Sequence, residues 1–345
     1  MPGRGQVVRP QSIGEQEVLQ ALGLHRLLTT GQFRRLYAPS MSQKKVAARL
    51  REIADDGLIG YLPRGLRAAH LDRSQIWYLT EQGGAQAARD PDLSDLNIWV
   101  QPKPKASIHT LYTNEVGVVL AEWAARHGDR FGPSGWLNEV ELRYKDGPVT
   151  SPRGKFRPDA VLYYDAHHRE EDPDSGRVRE RIAYTEACLE LDRDGNVSRQ
   201  RMGHKFRRYV WYLDYVAKGA RHPAWVEEFK QPPTLVLVVL AGDSREELKR
   251  RREELIGVVH SDPVLQEQWR YDPELADIAD DDIDPKEVEA RRVRFLIGLL
   301  DDLKARGPYR GVFVDAATKQ RVDMFGRPPA TDAGEAATAT PNAVP

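Results

Sequence analysis

The chain has 345 residues, of which 40% are hydrophobic and 30% charged, a composition typical of a globular protein large enough for two cores. No apolar run approaches the roughly twenty residues that cross a bilayer, no secretory signal opens the chain, and Cys188 is the only cysteine, so we expect a cytoplasmic protein with no membrane role and no disulfide. The net charge of −1 conceals a basic first third, with 15 Lys and Arg against 10 Asp and Glu in residues 1–110, although charge alone does not identify a partner.

The first ninety residues predict three helices and a small β-hairpin. Apolar side chains recur at helical spacing three times, and two segments that alternate apolar and polar residues follow. The predicted helices cover residues 13–27, 31–38 and 44–56, and the predicted strands cover residues 58–65 and 74–80. Ser42 is placed to cap the third helix, and Gly57 to end it. This order of elements predicts a winged helix-turn-helix domain over residues 10–90.

Basic residues occur at both places where a winged helix touches DNA. The third helix of such a domain enters the major groove, and the hairpin loop contacts the adjacent backbone. The candidate DNA-binding residues are Lys44, Lys45, Arg49 and Arg51 on the helix and Arg64, Arg67 and Arg73 between the strands. We therefore predict binding of double-stranded DNA. A winged helix that binds protein, or a basic face that is only solvated, is the alternative, and a homodimer on a symmetric site is a candidate assembly.

A second domain follows a proline-containing linker. Residues 91–106 hold three prolines and show no sustained periodicity, which predicts a linker. Residues 107–325 then predict an α/β order, and residues 326–345, which are poor in large apolar side chains, are expected to be disordered. Within the second domain the predicted helices begin near residues 107, 197 and 244, and the predicted strands cover residues 136–144, 155–164, 182–192 and 233–242.

Acidic residues of two predicted strands indicate a metal site. Asp159 follows Pro158 at the start of one strand, and Glu190 and Asp192 share a face of the next because alternate side chains point to the same side. Pairing of these strands would bring Asp159 towards Glu190, and two neighbouring carboxylates favour a divalent cation such as Mg²⁺ or Mn²⁺. The candidate metal ligands are Asp159, Glu190 and Asp192. Glu139, in the preceding strand, is a further candidate acid.

A basic stripe is predicted on the helix after the third strand of this domain. Its residues recur at i, i+4, i+7 and i+11 and are Arg201, Lys205, Arg208 and Tyr212. Lys205 is the best candidate to stabilise charge on a scissile phosphate or to orient the attacking water. An ordinary ion pair between Lys205 and Glu190 or Asp192 is the alternative. Asp159, Glu190, Asp192 and Lys205 together suit metal-dependent phosphodiester hydrolysis.

The chain resembles the replication-relaxation family of actinobacterial plasmids and integrative elements in the segments KKVAARLREIADDGLI, QIWYLTEQG, FRPDAVLYY, CLELDR and KFRRYVWYL. The resemblance covers about residues 15–240 and implies a winged helix followed by a restriction-endonuclease-like α/β domain. Its acidic part resembles the PD-(D/E)xK nuclease superfamily, which implies Asp159 and Glu190 as metal ligands and Glu139 as a helper. Where that superfamily usually has lysine two residues after the glutamate, this chain has Asp192, so members with the lysine on the next helix imply that role for Lys205.

Two functional hypotheses follow from these residues and from the resemblance. The first is a DNA-binding protein of plasmid replication or mobilisation that nicks or cleaves DNA with Mg²⁺. The second is a non-catalytic DNA-binding regulator of replication, transfer or transcription, since some members of the nuclease superfamily have lost activity and only bind DNA. Other replication or transfer proteins are candidate partners under either hypothesis.

Overall fold

A computed structural model describes most of the chain, namely residues 13–62, 71, 74–93, 98–100, 104–147, 154–171, 178–193, 197–267 and 292–329. The chain divides into two compact units, of which the first contains Met1–Asn138 and Tyr164–Ala183 and the second contains Glu139–Tyr163 and Tyr184–Pro345. The predicted loop residues Arg64, Arg67 and Arg73 lie outside the described residues, as does most of the predicted tail.

The first unit opens with helices and a small antiparallel sheet. The elements in chain order are α1 (Glu15–His25), β1 (Leu27–Thr29), α2 (Thr30–Tyr37), α3 (Gln43–Asp55), β2 (Ile59–Tyr61), β3 (Ile76–Leu79) and α4 (Glu81–Ala87). Strand β3 lies between β1 and β2 and is antiparallel to both. The region is therefore helical with a three-stranded sheet, and its assignment as a winged helix stays a prediction.

In helix α3 the apolar periodicity of the sequence corresponds to the buried face of the helix. Ser42 caps the helix by accepting a hydrogen bond from the Lys45 amide at 3.3 Å. Val46, Leu50 and Ile53, at helical spacing, are all buried in the core of the unit. The same spacing leaves the opposite face to solvent, as the sequence predicts.

Helix α5 (Pro104–His127) belongs to the first unit and is followed there by β4 (Trp136–Asn138). The helix begins before the predicted start at Ser107, because a proline is tolerated in the first turn, where its missing N–H has no helical partner. Long-range polar contacts tie α5 to the first helices: they are the ion pairs of Arg35 with Glu115 (2.8 Å) and Glu122 (2.6 Å) and the hydrogen bonds from Asn114 to the carbonyls of His25 (3.0 Å) and Leu27 (2.7 Å). Helix α5 is therefore in the same compact unit as the first helices, and the predicted linker over residues 91–106 stays a prediction.

His25, at the end of α1, is a buried titratable group of the first unit. Its ring stacks on Trp136 with centroids 4.2 Å apart. Burial lowers the pKa of His25 to about 3, and the neighbouring Pro133 backbone opposes this only in part. Because folding favours the neutral ring, the stability that depends on it is complete above the ordinary pKa of 6.5 and is lost as the pH falls from 6.5 towards 3.

We expect the free energy of unfolding of the first unit to fall by about 2 kcal/mol between pH 6.5 and pH 5, since one pKa unit corresponds to about 1.4 kcal/mol. Urea unfolding of the full chain at a series of pH values measures this slope. His25→Gln should flatten it, whereas the matched change at the exposed His127 should leave it as in the wild type. Equal slopes for the wild type and His25→Gln would contradict the prediction.

The second unit is built on a mixed sheet. Strands β7 and β8 run through both units, and the elements from there on lie in the second unit. In chain order the elements are β5 (Leu142–Arg143), β6 (Lys155–Phe156), β7 (Ala160–Glu171), β8 (Val178–Arg193), α6 (Arg199–Asp214), α7 (Trp225–Glu228), β9 (Leu235–Ala241), α8 (Arg245–Ser261), α9 (Pro263–Glu267), β10 (Arg294–Leu299), α10 (Leu300–Arg306), β11 (Phe313–Asp315) and β12 (Arg321–Val322).

The strand order through the second unit is β12-β11-β10-β9-β8-β7. Strands β8, β9 and β10 are parallel, with helices in the connections between them, while β10, β11 and β12 are antiparallel. Every residue of β9 is buried, as expected for a parallel strand covered on both faces. The α/β class is thus confirmed at the level of a mixed sheet with helices. No described helix has the length and apolar character needed to span a membrane.

Three strand predictions were wrong in their bounds. The single strand predicted over residues 136–144 is interrupted, since β4 ends at Asn138 and Glu139 has a φ of 52°, a left-handed conformation that a strand does not continue through. The strands predicted over residues 155–164 and 182–192 are too short at the ends that face each other in the chain, because β7 continues to Glu171 and β8 begins at Val178.

Candidate active site

Backbone hydrogen bonds fix Asp159 beside Glu190 in the second unit. Asp159 directly precedes β7, and its amide donates to the Leu189 carbonyl of β8 at 3.0 Å. Its carboxylate Oδ2 accepts from the Leu191 amide at 2.7 Å. Glu190 lies between these two residues, so Asp159 is held to β8 on either side of it. The carboxylates of two different strands are thereby brought to one place.

Lys205 reaches this place from α6. Its Nζ forms an ion pair with Glu190 Oε2 and lies 3.5 Å from Asp159 Oδ1. Ser198 sets the start of α6 shortly after β8 by accepting from the Arg201 amide at 3.3 Å. Asp159, Glu190 and Lys205, which the sequence singled out, therefore lie together.

Tyr209 is a site residue that was not among the candidates from the sequence. It is buried, and its hydroxyl donates a hydrogen bond to Glu190 Oε1. The signal that would have found it is its spacing, because Tyr209 follows Lys205 by four residues and so lies one helical turn further along α6. Tyr209 and Lys205 therefore contact the two oxygens of the same carboxylate, that of Glu190.

The site is a buried cluster of charges, with Glu190 1% exposed, Asp159 14% and Lys205 26%. Burial raises the pKa of Glu190 to about 8, against the opposing effect of the Lys205 ammonium, while the Asp159 carboxylate raises it further. Burial lowers the pKa of Lys205, but the two carboxylates outweigh this and raise it to about 12. Burial also raises the pKa of Tyr209 well above its usual range, which keeps its hydroxyl a donor.

The raised pKa of Glu190 favours its neutral acid form, whereas the raised pKa of Lys205 favours its charged form, so the two shifts have opposite effects on their ion pair. A protonated Glu190 would remove part of the attraction that keeps Lys205 charged. An ammonium and a phenol hydroxyl both contact Glu190, and both contacts favour its ionised form. We therefore take Lys205 as a cation and Glu190 as a carboxylate that takes up a proton more readily than an exposed glutamate does.

Asp192 follows Glu190 on the same face of β8, but it pairs with α8. Arg251 Nε donates to Asp192 Oδ2 at 2.6 Å, and the same guanidinium donates to the Val197 carbonyl and to Glu254. Both partners of the Asp192–Arg251 pair are buried. Asp192 Oδ1 has no hydrogen-bond partner among the described residues. The structure therefore gives Asp192 a partner that the sequence analysis did not identify.

The two glutamates of residues 139–141 differ in their surroundings. The Glu139 amide donates to the Asp159 carbonyl at 3.1 Å, which places its backbone beside the site. Glu141 forms ion pairs with Lys155 and, at 2.7 Å, with Arg157. Glu139 therefore contacts Asp159 through its backbone, while the Glu141 side chain is paired with basic residues.

In the part of the chain that the structure describes, two carboxylates, those of Asp159 and Glu190, contact Lys205 at this site. Among the described residues, no group of three or more His, Cys, Asp or Glu side chains is arranged to hold a metal ion. Mg²⁺ is commonly bound by one or two carboxylates together with waters and substrate phosphates. Asp159 and Glu190 therefore fit a cation whose remaining ligands come from water and substrate, and they do not fit a metal enclosed by protein alone.

The residues of the stripe predicted on α6 differ in burial along the helix. Arg201 is exposed and Arg208 is half-buried, but Tyr212 is buried in the core. Its ring packs against Phe156 and Phe229, with centroids 5.8 Å and 6.2 Å away. The helical spacing is regular, but neighbouring elements cover this part of the face.

The candidate DNA-binding residues of α3 are not equivalent. Lys44, Lys45 and Arg51 are exposed. Arg49 instead donates to the Ile13 carbonyl at 3.1 Å and pairs with Glu52 at 2.9 Å. Two lysines and one arginine of this helix are therefore the cations that face solvent.

Comparison with known proteins gives one finding at the level of the family. A protein-family model described as replication-relaxation matches residues 19–224, more than half of the chain. No curated protein and no solved structure matches the sequence. The matched range runs from within α1 to a point between α6 and α7, so it includes α3 and the residues Asp159, Glu190 and Lys205.

Proposed function

Because the chain belongs to the replication-relaxation family, we propose that it acts on DNA in plasmid replication or relaxation, binding the duplex through its first helices and nicking or cleaving it at a Mg²⁺-dependent site. The observation that carries the proposal is the ammonium of Lys205 between the carboxylates of Asp159 and Glu190. Acidic oxygens with one cation in a buried place are the groups that phosphodiester hydrolysis needs.

Each side chain has a separate task in this proposal. Asp159 and Glu190 would hold Mg²⁺, which supplies Lewis-acid polarisation of the phosphate and lowers the pKa of the attacking water when bound. Lys205 stays cationic at neutral pH and stabilises the charge that develops on the phosphate. Tyr209 orients Glu190 by donating to one oxygen and leaves the other towards Lys205. In this scheme Lys205, on α6, takes the role of the lysine that the PD-(D/E)xK superfamily usually has two residues after the glutamate, where this chain has Asp192.

A non-catalytic DNA-binding regulator is the second candidate function. One specific observation favours it: Lys205 already neutralises Glu190 by direct contact, so a cation must compete with an internal ion pair. In that case the three residues form a structural cluster, and DNA binding is the whole activity. The two candidate functions differ in whether the protein cleaves the DNA that it binds, and cleavage can be measured.

Incubation of supercoiled plasmid with the full-length protein separates these functions. The proposal expects conversion to open circles or linear DNA in the presence of Mg²⁺ or Mn²⁺ and none with EDTA. Plasmid that binds the protein but stays supercoiled with either metal would overturn the cleavage proposal and leave the regulator. Relaxation that continues in EDTA would exclude a metal-dependent site.

Binding of duplex DNA by α3 is tested through its dependence on salt. We expect Lys44→Ala with Lys45→Ala to weaken binding and to reduce the slope of log affinity against log salt by about 2, because each phosphate contact contributes roughly 0.9. Fluorescence anisotropy of a labelled duplex in EDTA gives both quantities. Arg49→Ala is the matched control on the same helix, and since its guanidinium is already paired with Glu52, it should change the slope less. An unchanged slope in the lysine variant would exclude α3 from the interface.

A further inference from the structure

A partly exposed aromatic and basic surface lies on α6 beyond Lys205. Trp211 is 40% exposed, and its ring stacks on Tyr144 with centroids 5.8 Å apart and planes inclined by 26°. The Arg208 guanidinium lies 5.9 Å from the centre of the Tyr144 ring. We call Tyr144, Arg201, Arg208 and Trp211 the α6 surface.

The two aromatic residues of the α6 surface have different roles in the fold. Tyr144 packs against the core of the second unit and meets Phe156 edge to face at 5.9 Å. Trp211 is not a member of the core cluster formed by the described residues. Tyr144 therefore acts as a rigid support, while the indole that lies on it keeps a large part of its surface in water.

The α6 surface and Lys205 lie on the same helix. Arg201 precedes Lys205 by four residues, Arg208 follows it by three and Trp211 by six. With about 1.5 Å of rise and 100° of rotation per residue, Trp211 lies roughly 9 Å along the helix axis from Lys205 and about a third of a turn around it, with Arg208 between the two. A strand whose phosphate reaches Lys205 and that follows the turn of the helix would meet Arg208 and then Trp211.

We propose that the α6 surface binds single-stranded DNA, with a base stacked on Trp211 and backbone phosphates on Arg201 and Arg208. An aromatic platform flanked by basic side chains is the combination that holds unpaired strands irrespective of sequence. Bases in a duplex stack on each other and do not offer a free face to an indole, so this surface suits an unpaired strand better than a duplex. The inference rests on the proposed function and deepens it, because it names an unpaired strand as the DNA that enters the site.

The test measures binding without cleavage, in EDTA, with the full-length protein. Fluorescence anisotropy compares a labelled oligothymidylate of about twenty nucleotides with a duplex of the same length. We expect Trp211→Ala to weaken oligothymidylate binding by about 5- to 150-fold, the range that corresponds to loss of one stacked base. Trp211→Phe should retain most of the affinity, and the duplex affinity should change little in either variant.

Trp123→Ala is the matched control, since Trp123 lies in the first unit with the Arg126 guanidinium 4.8 Å from its ring centre and so has a similar aromatic and cationic setting. It should leave oligothymidylate binding as in the wild type. An unchanged affinity in Trp211→Ala, or equal losses for the oligothymidylate and the duplex, would overturn the inference. Unchanged duplex affinity and an unchanged urea unfolding midpoint in Trp211→Ala show that its loss of oligothymidylate binding is not a folding defect.

Plasmid nicking, measured separately, distinguishes failure of this inference from failure of the proposed function. A wild type that nicks plasmid while Trp211→Ala binds oligothymidylate as well as the wild type does overturns the inference alone. A wild type that never nicks, with a selective loss of oligothymidylate binding in Trp211→Ala, overturns the cleavage proposal and supports the α6 surface as a binding site.

Discussion

Replacement of Asp159 or Glu190 by alanine should lower the rate of Mg²⁺-dependent plasmid nicking by about a hundredfold or more, the scale of losing one preorganised charge in an active site. Both carboxylates are fixed by protein contacts, Asp159 by the Leu191 amide and Glu190 by the Tyr209 hydroxyl. Their removal takes away the only acids that contact Lys205 among the described residues. The rate is measured from the decay of the supercoiled band in a gel time course.

Isosteric variants separate loss of charge from loss of folding. Glu190→Gln keeps the size of the side chain and an oxygen that accepts from Tyr209, but it cannot carry the negative charge, so we expect the same loss of nicking as with alanine. Glu246→Gln, on the exposed face of α8, is the matched control and should nick at the wild-type rate. Nicking at the wild-type rate by Glu190→Gln would remove Glu190 from the proposed site.

Replacement of Arg251 by methionine should destabilise the protein by about 3–5 kcal/mol, the typical result of leaving one charge of a buried ion pair alone. Asp192 is fully buried and accepts only from this guanidinium among the described residues, and its second oxygen has no hydrogen-bond partner there. The same change removes the donor to the Val197 carbonyl at the start of α6. Urea unfolding followed by circular dichroism measures the loss.

A double variant shows whether the loss comes from the stranded charge. Arg251→Met combined with Asp192→Leu removes both charges, so we expect it to be more stable than Arg251→Met alone. Arg250→Ala, at an exposed position on the same helix, should stay within about 0.5 kcal/mol of the wild type. A double variant as unstable as the single one would contradict the account given for the pair.

Asp192 also connects the stability prediction with the proposed chemistry. If Asp192→Asn retained nicking while it lost stability, Asp192 would serve the fold through Arg251 and not a metal. If it lost nicking with unchanged stability, the predicted role of Asp192 as a third metal ligand would stand. The structure itself favours the first outcome, because the described hydrogen bond of the Asp192 carboxylate is with Arg251.

Short patterns in the sequence predict much of the secondary structure and the faces of its elements. Apolar spacing predicts α3 because a helix places Val46, Leu50 and Ile53 on one side, and the apolar run of β9 predicts a strand, which the structure buries on both faces. The alternation of β8 likewise puts Glu190 and Asp192 on a common face. These features depend on a few neighbouring residues, so the sequence alone determines them.

Only the tertiary structure decided which distant groups meet. The partner of Asp192 is Arg251, 59 residues away, and the choice depends on how α8 packs on β8. Asn114 ties α5 to the first unit through backbone carbonyls, which no side-chain pattern reveals. Tyr212 is buried and Trp211 is exposed although they are adjacent on α6, because Phe156 and Phe229 cover one position and leave the other open. Periodicity fixes the face of an element, and packing between elements decides what covers that face.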